Sequence, residues 1–326
     1  MKLQEPNLPP IPKSLTRRQF ARFAALAGLG AVLASCGGDA IPSDPQASSE
    51  EVAPPAADSA YLSVARGPDP KAITRAALSA IGGIGRFVKA GNDVIVKPNI
   101  CQDYHTYEYG ATTNPEVVAA LVELCLEAGA KRVRVMDLPF GGSSESAYAK
   151  SGIADAVNAA GGEMEVINQA KFSEIDIPQG RDITSWRVYQ EVLTTDVLIN
   201  VPVAKHHSLA RLSLGGKNLL GVILSPSRIH VNLGQRTADL VSLIRPTLTV
   251  VDAVRTLMAH GPTGGNLDDV RLTNTVIASH DIVAADAYAA TLFDLTGEAI
   301  AYVKAAADMG IGTLDLDAIK IEELDV

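Results

Sequence analysis

The sequence predicts an α/β fold, an open, mostly parallel or mixed sheet with helices on both faces and Rossmann-like layering. Short apolar runs of strand type alternate with stretches of helical spacing from Tyr61 to Val326, the order that builds strands joined by crossover helices. Helix starts carry cap chemistry: Asn114-Pro115-Glu116 offers an N-cap, a proline at the first helical position and an acid in the first turn. Apolar residues make up 47% of the chain and charged residues 20%, a globular composition that excludes disorder throughout, collagen and a polytopic membrane protein.

The chain divides into residues 1–36, 37–60 and 61–326. The first segment is basic, with Lys2, Lys13, Arg17, Arg18 and Arg22 against Glu5 alone. The Arg17-Arg18 pair precedes Phe23 to Ala34, twelve residues of Phe, Ala, Leu, Gly and Val. That run is too short to span a bilayer, which takes about 20 apolar residues, and has the length of a signal-peptide core. Leu33-Ala34-Ser35-Cys36 resembles a bacterial lipobox, whose cysteine is lipidated and becomes the mature N-terminus. The expectation is a twin-arginine lipoprotein signal peptide, with the export machinery as a partner. The product would be a lipoprotein anchored to a membrane on its periplasmic or other extracytoplasmic side. Residues 37–60 are poor in apolar residues and hold Pro42, Pro45, Pro54 and Pro55, a composition that reads as a flexible linker.

Within 61–326, Asp93 to Lys97 is the first clear strand. Val117, Val118, Leu121, Leu124, Cys125 and Ala128 then recur at helical spacing until Gly129. Val133 and Val135 mark the next strand and 147–160 the next helix. Residues 163–191 alternate at Phe172, Ile175 and Ile177 like an antiparallel ribbon. Strands follow at Val197 to Val201, Leu248 to Val251 and Thr275 to Ala278, then helices around Val283 to Leu295 and Ile300 to Met309.

In open α/β sheets ligands bind beyond the carboxyl ends of the strands. Those positions hold Lys97 with Asn99, Asp137, Lys205 with His206 and His207, Asp252, and His280 with Asp281, so one rim is expected to gather them. The densest segment runs from Lys205-His206-His207-Ser208 to Gly215-Gly216-Lys217-Asn218. Lysines supply fixed positive charge, a histidine can move protons near neutral pH, and glycines let backbone N–H groups approach an anion. Adjacent histidines on a strand point to opposite faces, so one of the pair faces the site. Gly264 and Gly265, after His260, form a second loop that could touch a ligand. A mononuclear metal could recruit His206 or His207, His260, His280 and Asp252, although no HExxH or CxxC spacing is present.

The formal charge is −9 and aromatic residues are 5%, which disfavours nucleic acid as a partner. The cysteines are Cys36, Cys101 and Cys125. With Cys36 lipidated and Cys125 on an apolar helical stripe, no iron–sulfur cluster is expected, since such a cluster needs four thiolates. Cys101, beside Asn99, is a candidate reactive thiol.

Val96-Lys97-Pro98-Asn99, Thr113 to Glu116, Glu127 to Lys131, Leu198 to Pro202, Lys205 to Ser208, Lys217 to Gly221, Val251-Asp252-Ala253, His260-Gly261-Pro262 and Asp286-Ala287 occur in an order that resembles the domain of unknown function 362 family over about residues 90–312. The resemblance places His207 on the family histidine. Many relatives are described as iron–sulfur proteins on the strength of ferredoxin-type cysteine runs; this chain lacks those runs, so that role is not carried over. A distant similarity in overall architecture to nickel-dependent lactate racemase would suit proton transfer next to a carboxylate.

Two functions follow as expectations. One is an enzyme on a small anionic substrate, carboxylate or phosphate, with His207, Asp252 and Lys205 as catalytic residues and Lys97, Asn99, Lys217, Asn218, Gly264 and Gly265 binding substrate. The other is a non-catalytic anion- or metal-binding lipoprotein using the same groups.

Overall fold

The computed structural model describes residues 59–326. The expected signal peptide with Arg17, Arg18 and Cys36, and the expected linker up to residue 58, lie outside the described residues. Ala60, expected in the linker, is already buried, and its N–H donates to Ala80 O at 2.9 Å.

The chain enters as β1 (Leu62–Arg66) and α1 (Pro70–Ala80), the latter capped by Asp69, whose carboxylate accepts from Lys71 and Ala72 N–H. Next come β2 (Asp93–Pro98), α2 (Pro115–Glu127) and β3 (Arg132–Val135). As the cap signal predicts, Asn114 accepts from Glu116 N–H at 2.9 Å and Pro115 opens α2. The single helix expected over 147–160 is two, α3 (Ser144–Lys150) and α4 (Ile153–Ala159). Gly152 between them has φ 77°, a left-handed conformation that ends one helix before the next begins.

After β4 (Glu163–Met164), strands β5 (Phe172–Asp176) and β6 (Ser185–Tyr189) form the antiparallel ribbon expected from their alternation. Then follow α5 (Glu191–Thr194), β7 (Val197–Val201), β8 (Val203–His207), β9 (Arg211–Ser213), α6 (Gly215–Asn218) and α7 (Leu233–Ile244). The described chain closes with β10 (Leu248–Leu257), β11 (Val270–Ser279), α8 (Ile282–Thr291), α9 (Ala301–Asp308) and β12 (Ile321–Asp325).

The main sheet runs β12-β1-β11-β10-β7-β2-β3-β4, with β8 and β9 added beside β10. It is mostly parallel; β11 runs against both β1 and β10. Successive strand residues face opposite sides. Val94, Val96, Val197 and Ile199 pack under α1, α2 and α4, whereas Ile95, Leu198, Val251 and Ile277 pack under α7, α8 and α9. The central strands therefore read as continuous apolar runs, as a sheet covered on both faces requires.

Pro202 separates β7 from β8. Without an N–H it cannot continue the ladder, and the chain passes from β7, paired with the start of β10, to β8, paired with its end. Lys205 and His207 are thereby carried beyond the carboxyl edge. The antiparallel course of β11 corrects the expected rim: Ser279 pairs with Thr249 at the start of β10, so His280 and Asp281 stand at the opposite edge, where Asp281 caps α8.

Candidate functional site

A cavity of about 410 Å³ opens at the carboxyl edge. Asn99 and Cys101 reach it from the end of β2, Asp137 from β3, Lys205 and His207 from β8, Lys217 and Asn218 from α6, and His230 from the turn Pro226–Asn232. Of the residues singled out in the sequence, Asn99, Cys101, Asp137, Lys205, His207, Lys217 and Asn218 thus share one wall system.

Thr113 holds the β2 end. It accepts from Asn99 N–H at 2.8 Å through Oγ1, donates from that hydroxyl to Val201 O at 2.9 Å, and donates its own N–H to Asn99 O. Asn99 Oδ1 then accepts from Lys205 Nζ at 2.7 Å, and the same ammonium donates to Ala111 O at 2.6 Å and lies 3.4 Å from Cys101 Sγ. Lys217 Nζ is 3.0 Å from His230 Nε2. Both lysines are buried, and among the described residues neither is ion-paired with a carboxylate. Burial, reinforced by Lys205, holds the Lys217 ammonium down to about 8.

His207 Nδ1 accepts from Leu209 N–H at 3.1 Å and Ala210 N–H at 3.2 Å. A nitrogen that accepts twice carries no proton, so the neutral ring keeps its proton on Nε2. Burial first, then the charges of Lys217, His230, Lys205 and His206, push its pKa down to about 3. His207 is thus a neutral donor at physiological pH. His206 turns away, its Nδ1 accepting from Gly261 N–H.

Several sequence-predicted residues serve the site from behind. Lys97 does not line the cavity: its fully buried ammonium donates to Asp137 Oδ1 at 2.7 Å, Pro98 O at 2.9 Å and Asn218 Oδ1 at 3.1 Å. Asp137 also accepts from Ile100 and Leu138 N–H. Gly221 is required here, because a Cβ on it would lie 1.9 Å from Asp137 Oδ1. Asn218 lines the cavity, but its amide is spent inward on Lys97 O and Asn200 Oδ1.

Asp252 is a correction in geometry. It accepts from Asn114 N–H at 2.6 Å and Val254 N–H at 2.9 Å, joining the middle of β10 to the start of α2, and does not orient His207. Burial raises its carboxyl to about 6 against those two donors. The Gly215 and Gly216 amides, expected to meet a ligand anion, meet Asp286 instead at 2.6 and 2.9 Å. Gly264 and Gly265 pack against Leu257, Tyr109 and His105 and do not line the cavity, whereas Pro262 does. Among the described residues no three of His, Cys, Asp and Glu gather as a metal site: His260 pairs with Asp269, His280 is at the far edge, and Asp252 faces amides. Cys125 is buried in the core, as its apolar stripe predicts.

The profile of the family described as Domain of unknown function (DUF362) matches residues 94–291. The chain belongs to this family. Every cavity residue named above falls inside the matched span of the DUF362 domain. A thylakoid-associated protein of Synechocystis sp. is 27% identical over 252 residues, covering 73% of this chain and 74% of its own. The lactate racemase apoprotein from Thermoanaerobacterium thermosaccharolyticum aligns with a TM-score of 0.43 at 12% identity, covering 75% of this chain and 56% of its own.

Sequence reasoning missed His230 as a partner of Lys217 and Asp286 as the group that fills the Gly-Gly amides. His230 lies in a short turn without periodicity, so no pattern marks it. Asp286 carries a signal in hindsight, a carboxylate amid the otherwise apolar stretch Ile282–Thr291.

Proposed function

We propose that this DUF362 protein is an enzyme acting on a small anionic substrate, a carboxylate or phosphate, held in the carboxyl-edge cavity. One observation carries the reading: Lys205 and Lys217 are buried on the same cavity, and neither is ion-paired with a carboxylate among the described residues. A buried ammonium without a countercharge is costly, and an anionic ligand would offset that cost. In this reading Lys205, oriented by Asn99, holds the anion, and His207 donates from Nε2. Lys217, near 8, exchanges a proton with the substrate while His230, at the exposed edge, connects it to solvent.

A non-catalytic anion-binding protein is the second reading. It is favoured by His207, whose Nδ1 is occupied by backbone amides, and by Asp252, which forms no dyad with it. The two are separated by incubating the protein with a panel of small carboxylates and phosphates in D₂O and following hydrogen exchange and conversion by NMR. Catalysis requires turnover that falls at least about 100-fold in Lys217→Met, the usual scale of a lost acid or base. Binding of the panel without turnover supports the second reading, and absence of anion binding removes both.

We further propose that the chain is exported through the twin-arginine machinery and anchored at a lipidated Cys36. Support comes from Arg17-Arg18, the apolar run Phe23 to Ala34 and the lipobox-like Leu33 to Cys36, and from the thylakoid association of the Synechocystis relative. Among the described residues no helix is long and apolar enough to cross a membrane, so attachment would rest on the lipid. A single acyl chain binds only marginally, and stable anchoring implies several.

A further inference from the structure

The cavity is polar at its buried end and apolar toward solvent. Lys205, His207 and Lys217 are 2%, 7% and 9% exposed, whereas Phe140 and Leu209, lining the same cavity, are 61% and 69% exposed. Leu138, Leu214 and Leu220 line the walls between. Val231, 77% exposed, follows His230 directly. Large apolar side chains on a protein surface are ordinary when scattered, but a group of them around one opening marks a recognition surface. A small hydrophilic anion could reach the lysines without touching Phe140 or Leu209.

We propose that the ligand is an amphipathic anion: a carboxylate or phosphate head on Lys205 and Lys217, with a hydrocarbon tail leaving the cavity between Phe140 and Leu209. The inference rests on the anion-binding part of the proposed function and adds the tail. A volume of about 410 Å³ lies within the range of small-molecule pockets and leaves room for apolar atoms beyond a head group. The charge at the buried end selects the head, and the apolar rim rewards chain length.

The test is calorimetric titration of the full chain with butanoate, hexanoate, octanoate and decanoate, all below their micellar concentrations, and with butyl and decyl phosphate. Decanol serves as the uncharged control. Affinity should rise about three- to fourfold for each methylene that enters the cavity, decanol should bind far more weakly than decanoate, and Lys217→Met should abolish the whole series. That last result also excludes binding elsewhere on the chain. Phe140→Ser and Leu209→Ser replace exposed side chains, so folding is expected to survive, and each should flatten the dependence on chain length.

The carboxylate and phosphate arms identify the head, whichever is tighter. Lysine-dependent binding with no rise along the series overturns the tail and leaves the anion reading standing. Binding indifferent to Lys205→Met and Lys217→Met overturns the anion reading itself. Self-association that is lost in the Phe140 and Leu209 variants, without a chain-length effect, would assign the rim to a second copy and overturn the proposal.

Discussion

Lys217 loses most of its hydration in the cavity wall, and Lys205 on the same wall adds like charge. Its pKa is therefore lowered on folding. Below about 8 the buried ammonium is charged in both folded and unfolded chains and its full cost is present; between about 8 and the unfolded lysine value the cost is relieved, so stability gains with pH there. Anion affinity has the opposite sign, because the ligand needs the charged form. We expect the affinity for inorganic phosphate, measured by titration calorimetry, to fall as pH rises above about 8, and Lys217→Met to show no binding on either side of that midpoint. A bound anion will itself move the midpoint upward. His207 behaves differently: with its pKa near 3, its ring ¹⁵N shifts in the unliganded protein should stay those of the Nε2–H tautomer from pH 5 to 8. A midpoint near 6.5 would show that the ring is solvated rather than locked on the Leu209 and Ala210 amides. Because that pKa is depressed by folding, the neutral ring contributes stability that is present above about 6.5 and is lost progressively as pH falls toward 3.

At the scale of elements, two short segments carry Lys217, Asn218 and Gly221 into place. The first is α6, whose opening amides are held by Asp286 from α8. Replacing that carboxylate by alanine leaves two buried N–H groups without partners, so Asp286→Ala should lower stability by about 2–3 kcal/mol and weaken anion binding, as read by denaturant unfolding and calorimetry. Burial raises the Asp286 carboxyl to about 7. The raised pKa means that its contribution is fully present below the unfolded value near 4 and is lost as pH rises through about 7; Asp286→Asn should remove that part of the pH dependence. The second segment is the turn after α6. A Cβ at Gly221 would lie 1.9 Å from Asp137 Oδ1 and 2.7 Å from Lys97 Nζ, forcing apart the buried pair that supports Asn218. Gly221→Ala should cost about 1–3 kcal/mol, and an unchanged unfolding midpoint would mean that the turn yields freely.

For the whole molecule, the sheet is a platform whose carboxyl edge is built by parallel strands and whose opposite edge receives the end of β11. The placement of the cavity on one edge leaves the N-terminal attachment to be tested separately. In a host with a twin-arginine pathway, Cys36→Ser should move the protein from the membrane to the soluble fraction, and Arg17→Lys with Arg18→Lys should hold it in the cytoplasm. Wild-type protein found soluble in the cytoplasm would end the anchoring proposal.

Residue order alone determined the α/β class, the central strands β2, β3 and β7, the cap of α2, the β5–β6 ribbon and, of the cavity wall, polar residues such as Asn99, Lys205, His207, Lys217 and Asn218. These features rest on local signals: apolar runs, Asn-Pro caps and polar residues placed just after strands. Tertiary structure decided the direction of β11, because a strand buried on both faces has the same apolar run whether it runs parallel or antiparallel. That direction removed His280 and Asp281 from the rim. Tertiary structure also decided which polar groups remain free for a ligand. Lys97, Asn218 and Asp252 look as available in sequence as Lys217, yet folding commits these three to Asp137, Asn200 and backbone amides. Lys205 is also engaged, by Asn99, Ala111 O and Cys101, and differs from Lys97 in that none of its acceptors is a carboxylate. The pairing of Lys217 with His230 and the apolar mouth at Phe140 and Leu209 are likewise contacts across the fold. Burial obliges polar groups to find partners wherever the chain brings them, and most of those partners lie 13 to 138 residues away, beyond the reach of any local pattern.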